Sequence, residues 1–227
     1  MDEFNLFGWE FVCTDDDVRF KKYSDFNNTK TPSIFCLILT VKTNINKRTS
    51  VASTWAPDCD DYAFILKTDV NETFPYINTP IKEETRSNIF TKTLYAMTHL
   101  NDVYEKKFDF YLKADDDTFV MVDNLRRFVR KLDVSQKIYT GRRFKPYVKS
   151  GYFSGGAGYV LSRPGLNAIV KGSHEANISC ILNTGPEDIG IAKCAEAYGV
   201  TFVDSRDEEG YERFHPLNPF GSMFRRS

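Results

Sequence analysis

Short apolar runs that alternate with longer amphipathic stretches most limit how this chain can fold. Ile34 through Leu39 is six residues without a charged or amide side chain, as expected of a strand buried on both faces of a sheet. Residues 62–66, 108–112, 137–140 and 200–203 read as further strands. Between them, residues 42–55 favour helix, and residues 83–104 place Ile89, Phe90, Leu94, Met97, Leu100 and Tyr104 near helical spacing. Leu125, Phe128, Val129 and Leu132 predict another apolar helix face. Pro186 suits the first turn of a helix that runs to Tyr198 and stops at Gly199. Strands alternating with helices predict an α/β fold with a mostly parallel central sheet flanked by helices. Residues 1–31 lack a sustained period and read as a loosely ordered lead-in, with one domain over 32–220 and a tail over 221–227.

Thirty basic side chains against 31 acidic ones give a formal net charge of −1. That balance argues against a nucleic-acid backbone or an anionic membrane surface as main partner. No apolar run approaches the ~20 residues of a membrane helix. The acidic N-terminal stretch, with Asp2, Glu3, Glu10 and Asp15 to Asp17, is unlike a signal peptide. The expectation is a soluble globular chain. Cys13, Cys36, Cys59, Cys180 and Cys194 show no Cys-x-x-Cys zinc spacing. Two bridges with a leftover thiol and five reduced cysteines are both open on spacing alone. Asn27, Asn71 and Asn177 each begin an Asn-x-Ser/Thr triplet, which leans only weakly toward the secretory route.

In open α/β sheets, ligands sit at the carboxyl ends of strands, which directs attention to Asp115-Asp116-Asp117, directly after the strand at 108–112. Three adjacent carboxylates repel one another and resist desolvation unless a cation neutralises them. Hard oxygen ligands suit Mg²⁺ or Mn²⁺ bridging a diphosphate. The competing structural explanation is that Asp116 or Asp117 caps the following helix. A second triplet, Asp15-Asp16-Asp17, follows no strand and reads as a solvated loop. Gly155-Gly156-Ala157-Gly158 permits close backbone approach to a ligand or makes a turn. Arg142, Arg143, Lys145 and Lys149 form a local basic patch, either phosphate-holding or solvated. Glu187 and Asp188 at a helix start are dipole-stabilised carboxylates or, for one of them, a general base.

Several segments together resemble glycosyltransferase family 31, at its core 1 β1,3-galactosyltransferase branch. They are residues 110–120 with Asp123-Asn124-Leu125-Arg126, residues 141–149, residues 154–162, Glu187-Asp188-Ile189-Gly190, Phe214-His215-Pro216, and Thr54-Trp55 after a basic stretch. The resemblance covers roughly residues 33–220, in order and at fitting spacings. It implies a GT-A-type fold, a UDP-galactose donor, Mn²⁺, and inverting transfer to the 3-hydroxyl of GalNAc on a glycoprotein acceptor. It implies a Golgi lumen location as a type II membrane protein, is compatible with a homodimer, and gives no role to nucleic acid.

Carried over position by position, the resemblance makes Asp115, Asp117 and His215 metal ligands, with Asp115 and Asp116 also on the donor. Thr54, Trp55, Arg142, Lys149, Gly155 and Gly156 would line the donor site, and Asp188 would be the general base. Cys36–Cys59 and Cys180–Cys194 match pairs that the family bridges. Members of the family also have an N-terminal membrane anchor and a longer C-terminal region, so truncation at both ends is a further expectation. Three alternatives remain at this level. One is a Fringe-like transferase of another UDP-sugar, and one is a haloacid-dehalogenase-type phosphatase, which also places Asp-x-Asp after a strand. The third is a chain that binds nucleotide or a partner without turnover.

Overall fold

The computed structural model describes residues 20–21, 30–104, 107–174 and 186–218. Its strands are β1 (Phe20–Lys21), β2 (Ile34–Leu39), β3 (Asp61–Leu66), β4 (Tyr76–Asn78), β5 (Phe110–Asp115), β6 (Ile138–Gly141), β7 (Arg143–Phe144), β8 (Tyr152–Phe153), β9 (Tyr159–Ser162) and β10 (Thr201–Asp204). The helices are α1 (Ile45–Ser53), α2 (Ile89–Tyr104), α3 (Val122–Val129), α4 (Arg163–Ser173) and α5 (Glu187–Ala197).

Eight strands form one sheet in the order β1-β10-β6-β9-β5-β2-β3-β4. Every neighbouring pair is parallel except those made by β9, which runs antiparallel to both β5 and β6. The expected α/β architecture with a mostly parallel sheet is the one observed. β7 and β8 pair as a separate antiparallel ribbon.

Alternation along the central strands splits the core in two. Phe35, Leu37, Tyr111, Tyr159 and Phe202 join a cluster with residues of α2, α4 and α5. Ile34, Cys36, Ile38, Phe110, Leu112 and Ala114 join another with residues of α1 and α3. β2 is therefore covered on both faces, which is why its sequence has no polar alternation. The apolar face expected from Leu125, Phe128, Val129 and Leu132 is buried in the second cluster.

Three of the differences from expectation bear on the site. β5 continues past Leu112 to Asp115, because β2 pairs with it up to Leu39 opposite Asp115. α2 begins at Ile89 after a single 3₁₀ turn, and Glu84, expected in its first turn, instead accepts from the backbone N–H groups of Lys42 and Lys67. The helix after the acidic triplet starts at Val122, with Met121 at its N-cap, so neither Asp116 nor Asp117 caps it.

One expected bridge, Cys36–Cys59, is formed and ties β2 to the turn before β3. Cys194 is disulfide-bonded; Cys180, its expected partner, lies outside the described residues, as do Cys13, Asp15 to Asp17, Asn27 and Asn177. No helix among the described residues is long and apolar enough to cross a membrane.

Candidate functional site

The carboxyl ends of β2 and β5 lie side by side, and the chain turns away from both there. A cavity of about 250 Å³ opens at this edge, lined by Leu39, Thr40, Val41 and Asn44 after β2 and by Asp115, Asp116 and Asp117 after β5. Its remaining wall is Glu84, Thr85, Arg86, Ile89 and Lys92 at the start of α2. All three residues of the triplet thus line one cavity at the edge where parallel sheets bind ligands.

The three are not equivalent. Asp116 is buried and accepts hydrogen bonds from the Thr40 hydroxyl at 2.6 Å and the Asn44 amide at 2.8 Å. Its work is to order the turn from β2 into α1. Asp115 is paired with the buried Lys113 at 2.6 Å. Asp117 is two-thirds exposed and receives the Lys47 ammonium at 2.9 Å, while the same ammonium lies 3.2 Å from Asp116. Those hydrogen bonds, first to Asp117 and then to Asp116, hold the Lys47 pKa above its ordinary value.

Further side chains brace this cavity, and the sequence reading passed over them. Lys92 is buried, donates to the Thr40 carbonyl, and pairs with Glu84 at 2.6 Å. Arg48, also buried, donates to the Val41 carbonyl at 2.6 Å and pairs with Glu72 at 3.2 Å. Burial works to raise the Glu84 pKa, but the hydrogen bonds from Lys92 and from the amides of Lys67 and Lys42 prevail and hold it below its ordinary value. The available signal was weak: single charges inside amphipathic helices read as solvated surface.

A second cluster adjoins the triplet through Lys113. Gly155 donates its backbone N–H to Asp188 at 3.2 Å, and its carbonyl accepts from Lys113 at 3.3 Å. Glu187 is buried, accepts from the Tyr159 hydroxyl at 2.5 Å and lies 3.6 Å from the Lys113 ammonium. Gly156 is exposed, and a Cβ placed on it would meet nothing within 4 Å. The glycine turn thus has a packed side at Gly155 and an open side at Gly156.

The other expected donor-site residues stand outside this cavity wall. Thr54 is exposed and bonds back to the Ser50 carbonyl. Trp55 is 2% exposed within the α1–α3 core, so any part it has in ligand binding acts through the packing of α1. Arg142 pairs with Glu212, and Lys149 is exposed. His215 is exposed beside Phe214, whose ring packs on Phe128.

Among the described residues, no three His, Cys, Asp or Glu are grouped so as to hold a metal ion. Asp115 and Asp117 nevertheless fit a divalent cation whose remaining ligands come from phosphate and water. Both residues line the cavity, and the Lys47 ammonium stands against Asp117.

A family model described as Fringe-like matches residues 29–207. Glycoprotein-N-acetylgalactosamine 3-beta-galactosyltransferase 1 of Xenopus laevis is 39% identical over 192 residues, covering 84% of this chain and 52% of that protein. A beta-1,3-glucosyltransferase of Mus musculus is 25% identical over 181 residues, covering 78% of this chain and 36% of that protein. The chain therefore spans about half the length, or less, of these curated relatives. A glycosyltransferase involved in glycosylation of the major capsid of PBCV-1 aligns with TM-score 0.47 at 12% identity, over 76% of this chain and 81% of that one.

Proposed function

This chain belongs to the Fringe-like family, and from that premise we propose that it is an inverting β1,3-galactosyltransferase of GT-A type. Its donor would be UDP-galactose and its acceptor the 3-hydroxyl of GalNAc carried on Ser or Thr of a glycoprotein. The observation that carries this reading is the acidic triplet lining the cavity at the exits of β2 and β5. The relative from Xenopus laevis supports the choice of sugar and acceptor by what its name says it transfers.

On this reading Asp115 and Asp117 would hold Mn²⁺, while Asp116 keeps the β2–α1 turn in place. Bound there, the ion would neutralise the diphosphate and make UDP a competent leaving group. Asp188 accepts the proton of the acceptor hydroxyl as that oxygen bonds to the anomeric carbon. The bond from that carbon to the diphosphate oxygen breaks, its electron pair leaves with UDP, and the configuration inverts. The Gly155 N–H orients Asp188 for this role, and the open side of the turn at Gly156 leaves room for the sugar. The same reading puts the chain in the Golgi lumen, and the Cys36–Cys59 bridge suits an oxidising compartment.

The test is calorimetric titration of the chain with UDP in MnCl₂ and in EDTA, followed by transfer to a GalNAc-bearing peptide. Metal-dependent UDP binding with galactose transfer is the expected result. Transfer from UDP-glucose or UDP-N-acetylglucosamine in preference would replace the donor assignment. No UDP binding in either buffer would remove the donor-site reading.

A further inference from the structure

Lys113 is the one residue of the buried stretch Phe110 to Ala114 that carries a charge, and its side chain is 3% exposed. Strand alternation aims it and Asp115, two residues on, at the same face of the sheet. Its ammonium reaches three acceptors from three parts of the fold: Asp115 at the end of β5 at 2.6 Å, the Gly155 carbonyl at 3.3 Å, and Glu187 in the first turn of α5 at 3.6 Å. The next residue of α5, Asp188, accepts the Gly155 N–H. The arrangement is close-packed at Gly155, where a Cβ would stand 3.0 Å from Glu187 Oε2 and 3.3 Å from Lys113 Nζ.

Resting on the donor-site reading above, we propose that Lys113 is a positioning residue of the transfer reaction, holding the donor-side carboxylate Asp115 in fixed relation to the base Asp188. A buried ion pair adds little stability over a well-packed apolar replacement. The neighbours of Lys113 along β5 are apolar and well buried, so stability alone gives no reason for an ammonium here. The charge provides a common anchor: one group whose donors fix a strand end, a loop and a helix start together.

The experiment replaces Lys113→Met and measures peptide-resolved hydrogen exchange, UDP affinity in MnCl₂, and galactose transfer. Amides of residues 154–158 and 187–190 are expected to exchange about tenfold faster while β2 and β3 keep their protection. The kcat should fall about 100-fold, the scale of a 1 Å misplacement, a larger factor than any change in UDP affinity. Should Lys113→Met fail to fold, Glu187→Gln releases one of the three anchors and should show the same local exchange pattern to a lesser degree.

Faster exchange spread over the whole sheet, UDP affinity and transfer falling by one common factor, or unchanged transfer would each overturn the proposal. A wild-type chain that binds no UDP removes the donor-site reading and this inference with it. UDP binding with unaltered exchange around Gly155 in the variant overturns the inference alone. If wild type binds UDP without transfer, the exchange pattern decides.

Discussion

Gly155 and Asp188 are joined by a backbone-to-carboxylate hydrogen bond of 3.2 Å across 33 residues of sequence, which fastens the glycine turn to the first turn of α5. The two central glycines of that turn therefore differ in what they tolerate. Gly155→Ala drives a methyl group against Glu187 and Lys113, whereas Gly156→Ala enters open space. Gly155→Ala is expected to lose about 1–3 kcal/mol through overpacking, and Gly156→Ala to stay within about 0.5 kcal/mol of wild type. Urea denaturation of both variants checks this. Equal losses would mean that the Gly155 contacts are not tight.

Asp117 and Lys47 make a pair that is 66% and 46% exposed, and such pairs contribute little to stability. Asp117→Asn should leave the fold intact yet abolish the metal-dependent part of UDP binding. Lys47→Ala removes the ammonium that stands against Asp116 and Asp117 and should tighten Mn²⁺ binding several-fold, by relief of like-charge repulsion. Mn²⁺ titration by electron paramagnetic resonance reads both. Unchanged metal affinity in Asp117→Asn would end its assignment as a ligand.

The β2 strand and the acidic triplet were both legible in the sequence because each depends on adjacent residues. A strand covered on both faces must be apolar throughout, and three neighbouring carboxylates are conspicuous. The brace of Lys92 against Thr40 was not legible, since it spans 52 residues and rests on a single charge in a helix. Helix α4 was hidden by its own glycines. A Cβ on Gly165 would come within 2.6 Å of the Ile138 carbonyl, and one on Gly172 would overlap the Tyr198 ring. Close packing against β6 and α5 demands residues that weaken the local helix signal. β4 has only three residues, too few to show a period.

Glu84 and Lys92 give the fold a pH dependence. The Glu84 pKa is below its ordinary 4.5 in the folded chain. Its stabilising contribution is thus complete above pH 4.5 and lost as pH falls through the lower folded value. Glu84→Gln leaves Lys92 buried without its anionic partner and should cost about 3 kcal/mol at pH 7. That penalty should shrink as pH drops below 4.5, where wild type loses the same pairing. Urea denaturation of both proteins from pH 7 to pH 3 measures it, and a penalty constant across that range would contradict the assignment.

Cys36 and Cys59 close a loop with a sequence separation of 23. Constraining the unfolded chain over that length contributes about 3 kcal/mol. Replacing both by alanine should lower the melting temperature by roughly 6–12 °C in a chain of this size. The bridge joins Cys36, near the amino end of β2, to the turn before β3, whereas the triplet is at the carboxyl ends of β2 and β5, so UDP affinity at low temperature should be unaffected. Scanning calorimetry beside a UDP titration separates the two effects.

The role of Asp188 turns on two properties that substitution can separate. Asparagine keeps an oxygen able to accept the Gly155 N–H, so Asp188→Asn preserves the fastening of the turn while removing the basic carboxylate. Alanine removes both. If Asp188 is the general base, Asp188→Asn should retain UDP affinity and local exchange protection while transfer falls by about 10²–10⁴-fold. Asp188→Ala should in addition loosen residues 154–158, which hydrogen exchange would register. The comparison is decisive because a purely structural Asp188 predicts the opposite ranking, with asparagine near wild type in transfer and alanine alone impaired.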